Sequence, residues 1–196
     1  MFLPAILRII IIGCLLLAIS ALSQAYKLPD TGQHTCYDAD GNVIDCPDPG
    51  ELFYGQDAQY QGPEPAYQDN DDGTVTDLNT ELMWMQATAD TDNDGHIDSS
   101  DELEWQPACD YCDALVYAGY TDWRLPDRRE LISLLDCGEA DPAINSVFDC
   151  RSDVYWSSST LAIDPDYAWN VYFFYGRVSK LKKVKNHYVR CVRDGP

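Results

Sequence analysis

Apolar and polar positions along this chain fall into blocks of different period, and each block predicts a different kind of element. Residues 9–22 are almost continuously apolar, a run short of the roughly 20 residues with which an α-helix crosses a bilayer. Residues 26–66 carry no strand or helix period, only Gly, Pro, Gln and Tyr in stretches such as Gln61-Gly62-Pro63-Glu64-Pro65. They predict an irregular extension packed by aromatics. The pattern then sharpens. Asn70-Asp71-Asp72-Gly73-Thr74-Val75-Thr76-Asp77 reads as a turn into a strand, and Leu82-Met83-Trp84-Met85 as a second strand. Helical spacing of Cys109, Cys112, Leu115 and Val116 predicts a helix over residues 107–118, stopped by Gly119. A second helix opens at Leu125-Pro126-Asp127, with Asp127 as N-cap, Glu130 completing an Asp form of the capping box, and Leu131, Leu134 and Leu135 as its buried stripe. Beyond Cys150 come Val154-Tyr155-Trp156-Ser157, an apolar run over residues 168–175, a turn at Gly176-Arg177, a return strand over 178–184 and a last strand over 188–192. The plan is α+β: two helices plus short antiparallel strands that end in a meander.

Composition adds partners to exclude. With 196 residues, 45% of them hydrophobic, the chain can bury one core and reads as one domain. Its 13 Lys and Arg against 33 Asp and Glu give a formal charge of −20, which excludes nucleic acid as a partner. The charge is also segregated. Residues 26–123 hold 23 acids and the single base Lys27, whereas residues 124–196 hold 11 bases and 10 acids. Two halves that fold on each other would explain this; so would calcium or an anionic ligand.

The N-terminus sets the compartment. Arg8, the apolar run and the small residues Ser23-Gln24-Ala25 make residues 1–25 a signal peptide, cleaved after Ala25. A lipid-modified Cys14 fits less well, because the chain stays apolar after it. The mature chain then has no transmembrane span and is exported, to the periplasm, cell surface or extracellular space. It keeps seven cysteines, expected to oxidise there. Spacing suggests two local bridges, Cys36 with Cys46 and Cys137 with Cys150, each removing roughly 3 kcal/mol of denatured-state freedom. Cys191 needs a distant partner, either Cys109 or Cys112.

The most specific chemical signal is Asp90-Thr91-Asp92-Asn93-Asp94-Gly95-His96-Ile97-Asp98-Ser99-Ser100-Asp101. Oxygens at positions 1, 3 and 5, glycine at 6, the His96 carbonyl at 7 and carboxylates at 9 and 12 match a Ca²⁺ loop. The ligands are Asp90, Asp92, Asp94, His96, Asp98 and Asp101. Hard oxygens suit this cation, which also relieves the repulsion of aspartates crowded into twelve positions. Position 12 is Asp, as in dockerin-type loops, and a single loop points to a structural staple rather than an opening sensor.

Several blocks resemble one family: Asp72-Gly73-Thr74-Val75-Thr76-Asp77, Leu82-Met83-Trp84, Ala118-Gly119-Tyr120-Thr121-Asp122-Trp123-Arg124-Leu125-Pro126, Tyr155-Trp156-Ser157-Ser158, Ala168-Trp169-Asn170-Val171 and Tyr188-Val189-Arg190-Cys191-Val192-Arg193. Together they resemble the C-terminal domain of the Legionella collagen-like adhesin, the Lcl C-terminal domain. The resemblance covers about residues 67–194 and marks a domain over 67–196, with the calcium loop as an insertion at 87–106 and the extension 26–66 outside it. It implies a C-type-lectin-like fold related to the formylglycine-generating enzymes, with Cys112 bridged to Cys191 and Cys109 left as a thiol. It also implies an adhesion role, in which Lys180, Lys182, Lys183 and Lys185 would bind a sulfated or uronic polysaccharide. An edge strand kept soluble by lysines explains the same run.

The remaining candidates read as structural. Trp123, Trp156 and Trp169 suit core packing better than a sugar platform, and Arg124 and Arg190 suit loop anchoring. The spacing Cys109-Asp110-Tyr111-Cys112 gives no redox or zinc site if one cysteine is bridged. His34, His96 and His187 lie in no nucleophile or metal motif, so no catalytic residue is assigned. The expectation is a calcium-stabilised, disulfide-bonded binding module for anionic glycans and not an enzyme. The alternative is a docking component of a periplasmic or surface assembly, engaging a surface protein through its acidic half.

Overall fold

The computed structural model describes residues 29–195; the signal peptide expected over residues 1–25 lies outside the described residues. Among the described residues no helix is long and apolar enough to cross a membrane. The extension holds a two-residue ladder, β1 (Cys36–Tyr37) with β2 (Val43–Ile44), closed by the Cys36–Cys46 disulfide. It is moored to the rest by backbone bonds, from Cys137 to the Thr31 carbonyl and from Leu78 to that of Ala66.

Two antiparallel sheets follow. The first has the order β3 (Tyr67–Asp69), β4 (Thr74–Asp77), β5 (Leu82–Met85) and β9 (Val192–Asp194). The second is β6 (Val154–Thr160), β7 (Tyr167–Tyr172) and β8 (Arg177–Lys182). Between β5 and β6 lie α1 (Trp105–Ala114) and α2 (Arg128–Ile132). Successive strand residues point to opposite faces, and here both faces are apolar. Val75, Trp84, Tyr155, Val171 and Val192 join one core cluster with Leu131 and Leu134 from the α2 region. Met83, Met85, Trp156, Ala168 and Cys191 join the other, with Ala108 and Cys112 of α1. The sheets are therefore covered on both sides, one helix per side.

Local signals set the element ends. Asp127 Oδ1 accepts the N–H groups of Arg129 and Glu130, and the Glu130 carboxylate accepts that of Asp127 at 2.7 Å, completing the expected capping box. Helix α1 starts at Trp105 and stops at Ala114, earlier than its spacing predicts, because Leu115 turns extended. Val116, expected on the buried face, is therefore exposed. Tyr117 and Tyr120 then exchange both backbone bonds around Ala118 and Gly119, whose φ angles of 50° and 82° define a tight turn that favours glycine.

The last expected strand, residues 188–192, forms regular ladder only from Val192. Before that the chain crosses between the sheets: the Tyr188 carbonyl accepts from Trp156, that of Val189 from Ala89, and that of Cys191 from Met85. This crossing is the seam of the fold. Arg190 lies within it, fully buried, and donates from Nη1 to the carbonyls of Met85, at 2.6 Å, and Gln86, and from Nη2 to that of Asp149 at 2.8 Å. Arg124 grips Glu130 with both Nη atoms, at 2.7 and 2.8 Å, and reaches Asp194 at 3.1 Å. Both arginines anchor loops, as expected.

The cysteines need one correction. Cys112 is bridged to Cys191 across 79 positions of sequence, but Cys137 and Cys150 are free thiols. The loop between them is pulled two ways: Asp141 and Ala143 donate to the carbonyls of Phe174 and Phe173, whereas Asp149 donates to Gln86. Cys137 is left exposed beside the extension, and the Cys150 thiol donates to the Arg151 carbonyl at 3.3 Å. The third thiol, Cys109, is half-buried, and burial followed by repulsion from Asp113 and Asp110 pushes its pKa up to about 11. That makes it a poor nucleophile.

Candidate functional site

The acidic loop runs between β5 and α1. Each of its first turns is fixed by a carboxylate accepting a backbone N–H two or five positions on: Gly95 donates to Asp90 Oδ2 at 2.9 Å, Asp94 to Asp92 Oδ1 at 3.2 Å, and His96 to Asp94 Oδ1 at 2.8 Å. These bonds gather Asp90, Asp92 and Asp94, with one oxygen from each lying within 4.8 Å of the others. Like-charge pairs at that range cost on the order of 1 kcal/mol each even in water. Asp90 Oδ1 is buried and has no hydrogen-bond partner, so the donor set fits a hard cation. Tyr111 of α1 donates to the Asp90 carbonyl at 3.3 Å and fixes the loop entrance.

The expected ligands Asp98 and Asp101 lie outside that trio. Asp101 is fully buried and accepts the N–H groups of Thr91 and Asp98, at 2.7 and 2.9 Å, so its carboxylate closes the loop on itself. Asp98 accepts from Ser100 N and Oγ, which hold its carboxyl below the usual range. His96 is exposed.

The loop is strapped to the basic segment. Leu103 and His187 exchange backbone bonds at 2.9 and 3.0 Å, and Trp105 N–H donates to the Lys183 carbonyl at 3.0 Å. Trp105 Nε1 donates to Ser157, and Trp156 Nε1 to Leu103. The His187 ring lies edge-on to Trp156, 4.9 Å between centroids, with Nε2 buried and unpartnered. Burial lowers its pKa below 6.5, reinforced by Lys185 and opposed by Asp153. Below pH 6.5 the unfolded chain therefore binds this proton more readily than the folded one, and stability present above 6.5 is lost as the pH falls toward the folded value. The thermal midpoint should drop over that window, and His187→Phe should flatten the drop. An unchanged slope in the variant would clear His187 of responsibility.

The four candidate lysines do not form one face. On edge strand β8, Lys180 and Lys182 are exposed and register with Trp169 and Tyr167 of β7, so on the pleat they share a side with those rings. Lys182 Nζ lies 5.9 Å from the Tyr167 ring. Lys183 has left the strand: its Nζ lies 3.8 Å from the Trp105 ring centroid and donates to Thr160 Oγ1 at 2.8 Å. Lys185 is exposed in the turn beyond. Trp123 and Trp156 are core residues, whereas Trp169 is half-exposed and stacks under Arg128, whose guanidinium lies 4.5 Å from its centroid. Sequence reasoning did not single out Arg128 or Arg129. The available signal was an adjacent arginine pair with no acid three or four positions away on either side.

A disulfide-tied α+β module with an acidic turn-rich loop and a basic, aromatic sheet edge is the class of protein these features define. Within it, the chain belongs to the Lcl C-terminal domain family, whose model matches residues 73–193. This is an adhesin-type domain family and not a known enzyme family. The match contains both helices and the acidic loop, and leaves the Cys36–Cys46 region outside it. No curated protein matches the chain.

Proposed function

We propose that this chain is an exported, calcium-stabilised binding module that recognises anionic glycans on or outside a cell surface, with a C-type-lectin-like fold. The observation that carries the reading is the gathering of Lys180, Lys182, Arg128 and Trp169 on β7, β8 and the start of α2, in a chain whose net charge is −20. A surface that is basic against such a background selects for anions locally, since fields are screened beyond roughly 10 Å at moderate ionic strength. Half-exposed aromatic rings beside the cations suit the apolar faces of sugars. Calcium would be held by Asp90, Asp92 and Asp94 and would neutralise their mutual repulsion. It would act as a staple: the loop is strapped through Leu103 and Trp105 to the segment that carries Lys183.

The test is thermal unfolding of the oxidised chain from Tyr26 onward, in chelator and in calcium, with sulfated, uronate-bearing and neutral glycans added to each. Calcium at about a hundred times its Kd should stabilise the parent by roughly 2.7 kcal/mol and leave Asp90→Asn with Asp94→Asn unmoved, while in chelator the variant melts no lower than the parent. A further upward shift is expected from anionic glycans alone. An equal loss in chelator would remove calcium from the reading. A calcium shift with no glycan shift would leave a stabilised scaffold, and favour docking to a surface protein.

A further inference from the structure

Beside the lysine strand, a cleft of about 250 Å³ opens between the start of α2, the end of β6 and β7, lined by Asp127, Arg128, Arg129, Ser159, Thr160 and Trp169. Its walls are fixed to each other. Arg128 N–H donates to Ser159 Oγ at 3.0 Å, and Ser158 donates to the Pro126 carbonyl at 2.8 Å from its backbone and 3.2 Å from its hydroxyl. Helix start and strand end therefore move as one body, and a ligand would meet a preformed site.

The arginines of this cleft form no ion pair among the described residues. Arg124 is paired with Glu130 and Asp194, and Arg193 with Asp122. Arg128 and Arg129 have no carboxylate partner among the described residues, although the chain holds 33 acids. Arg128 instead lies over Trp169, its guanidinium 4.5 Å from the ring centroid, and its side-chain N–H groups meet no acceptor among the described residues. Lys180 registers with Trp169, and Lys183 donates to the Thr160 hydroxyl on the rim. The cleft itself thus holds two cationic side chains, Arg128 and Arg129, with Lys180 on the strand beside Trp169 and Lys183 turned to Trp105.

The cleft also offers groups that a bare oxyanion does not use. Asp127 Oδ1 is spent on the helix cap, and Oδ2 has no protein partner among the described residues. A carboxylate repels an anion but accepts from hydroxyls, and Ser159 and Thr160 add hydroxyl groups of their own. A ligand that satisfies both sets carries an oxyanion and neighbouring hydroxyls on one compact ring. We infer that this cleft binds a single acidic sugar residue of an anionic glycan, with Arg128 and Arg129 on the oxyanion and Asp127 and Ser159 on the ring hydroxyls. The inference rests on the glycan-binding reading above and assigns its specificity to the arginine cleft, with Lys180 and Lys182 attracting the rest of the polymer. The oxyanion is a uronate carboxylate or a sulfate ester, both of which match the guanidinium fork.

Titration calorimetry on the oxidised, calcium-loaded chain separates these sources and tests the assignment, using three short probes: a glucuronate-containing oligosaccharide, a sulfated dextran oligomer and neutral dextran. At least one anionic probe is expected to bind and neutral dextran not to; the one that binds names the oxyanion. Arg128→Gln with Arg129→Gln should weaken that probe at least roughly tenfold with an unchanged thermal midpoint, and Lys180→Gln with Lys182→Gln should weaken long polymers more than short probes. Because Arg129 is exposed, Arg129→Gln alone should still cost several-fold and serves if the double variant misfolds. If the arginine variants keep affinity within twofold while the lysine variant loses it, the cleft assignment is wrong and the glycan reading stands on the lysines. If no anionic probe binds the parent chain, both are wrong.

Discussion

Arg190→Ala is expected to destabilise the oxidised chain by roughly 4 kcal/mol, enough to unfold most small domains under mild stress. Arg190 is a fully buried cation without a carboxylate partner among the described residues. Three main-chain carbonyls, of Met85, Gln86 and Asp149, accept from it, and it lies 5.2 and 5.9 Å from the ring centroids of Phe148 and Tyr155. These dipoles and π faces offset the cost of burying its charge. Truncation leaves the carbonyls short of a donor and opens a void between two core clusters, and the penalties add. Lysine keeps the charge but not the fork that reaches three carbonyls from two nitrogens, so Arg190→Lys should lose about half as much. Urea unfolding would check both; a loss under about 1 kcal/mol for the alanine variant would mean that water takes the place of the guanidinium.

Removing the Cys112–Cys191 bridge, by alanine at both positions, should cost a similar amount, roughly 4 kcal/mol from the freedom returned to the unfolded chain. The bridge spans 79 positions and encloses α2, β6, β7 and β8, which carry the basic sheet edge and the arginine cleft. Both cysteines are fully buried, so the variant also loses packed sulfur. By the same loop-length relation Cys36→Ala with Cys46→Ala, separated by 10 positions, should cost less, roughly 3 kcal/mol. Denaturant melts of the two variants would rank them; if the short bridge proved the costlier, the loop-length account would fail for this chain.

Much of this molecule is legible locally. The Asp127–Glu130 capping box, the Leu131 and Leu134 stripe and the carboxylate spacing of the acidic loop arise from contacts between residues a few positions apart. Such contacts depend on chain geometry that recurs in every protein, so spacing alone reveals them. Even there the boundaries moved: α1 ends four residues early, because Leu115 exchanges a helical position for an extended one that leads into the Tyr117–Tyr120 turn.

What the sequence by itself determined is the α+β plan, the acidic loop, the anchoring roles of Arg124 and Arg190 and, through its blocks, the family. The tertiary structure decided how distant segments meet. Spacing left Cys191 two partners three residues apart, and the packing of α1 buries Cys112 against the seam while leaving Cys109 half-exposed. It separated Cys137 from Cys150, since the loop between them bonds to Phe173 and Phe174 just past β7 at one end and to Gln86 just past β5 at the other. It divided the lysine run between two surfaces, because β8 ends at Lys182. And it brought Arg128 over Trp169, about forty positions away in sequence, with Arg129 in the same cleft, where three elements close a pocket that none of them displays alone. Local periodicity fixes which way a side chain points from its own element, but what it points at is set by packing between elements, and that information is carried by no single stretch of the chain.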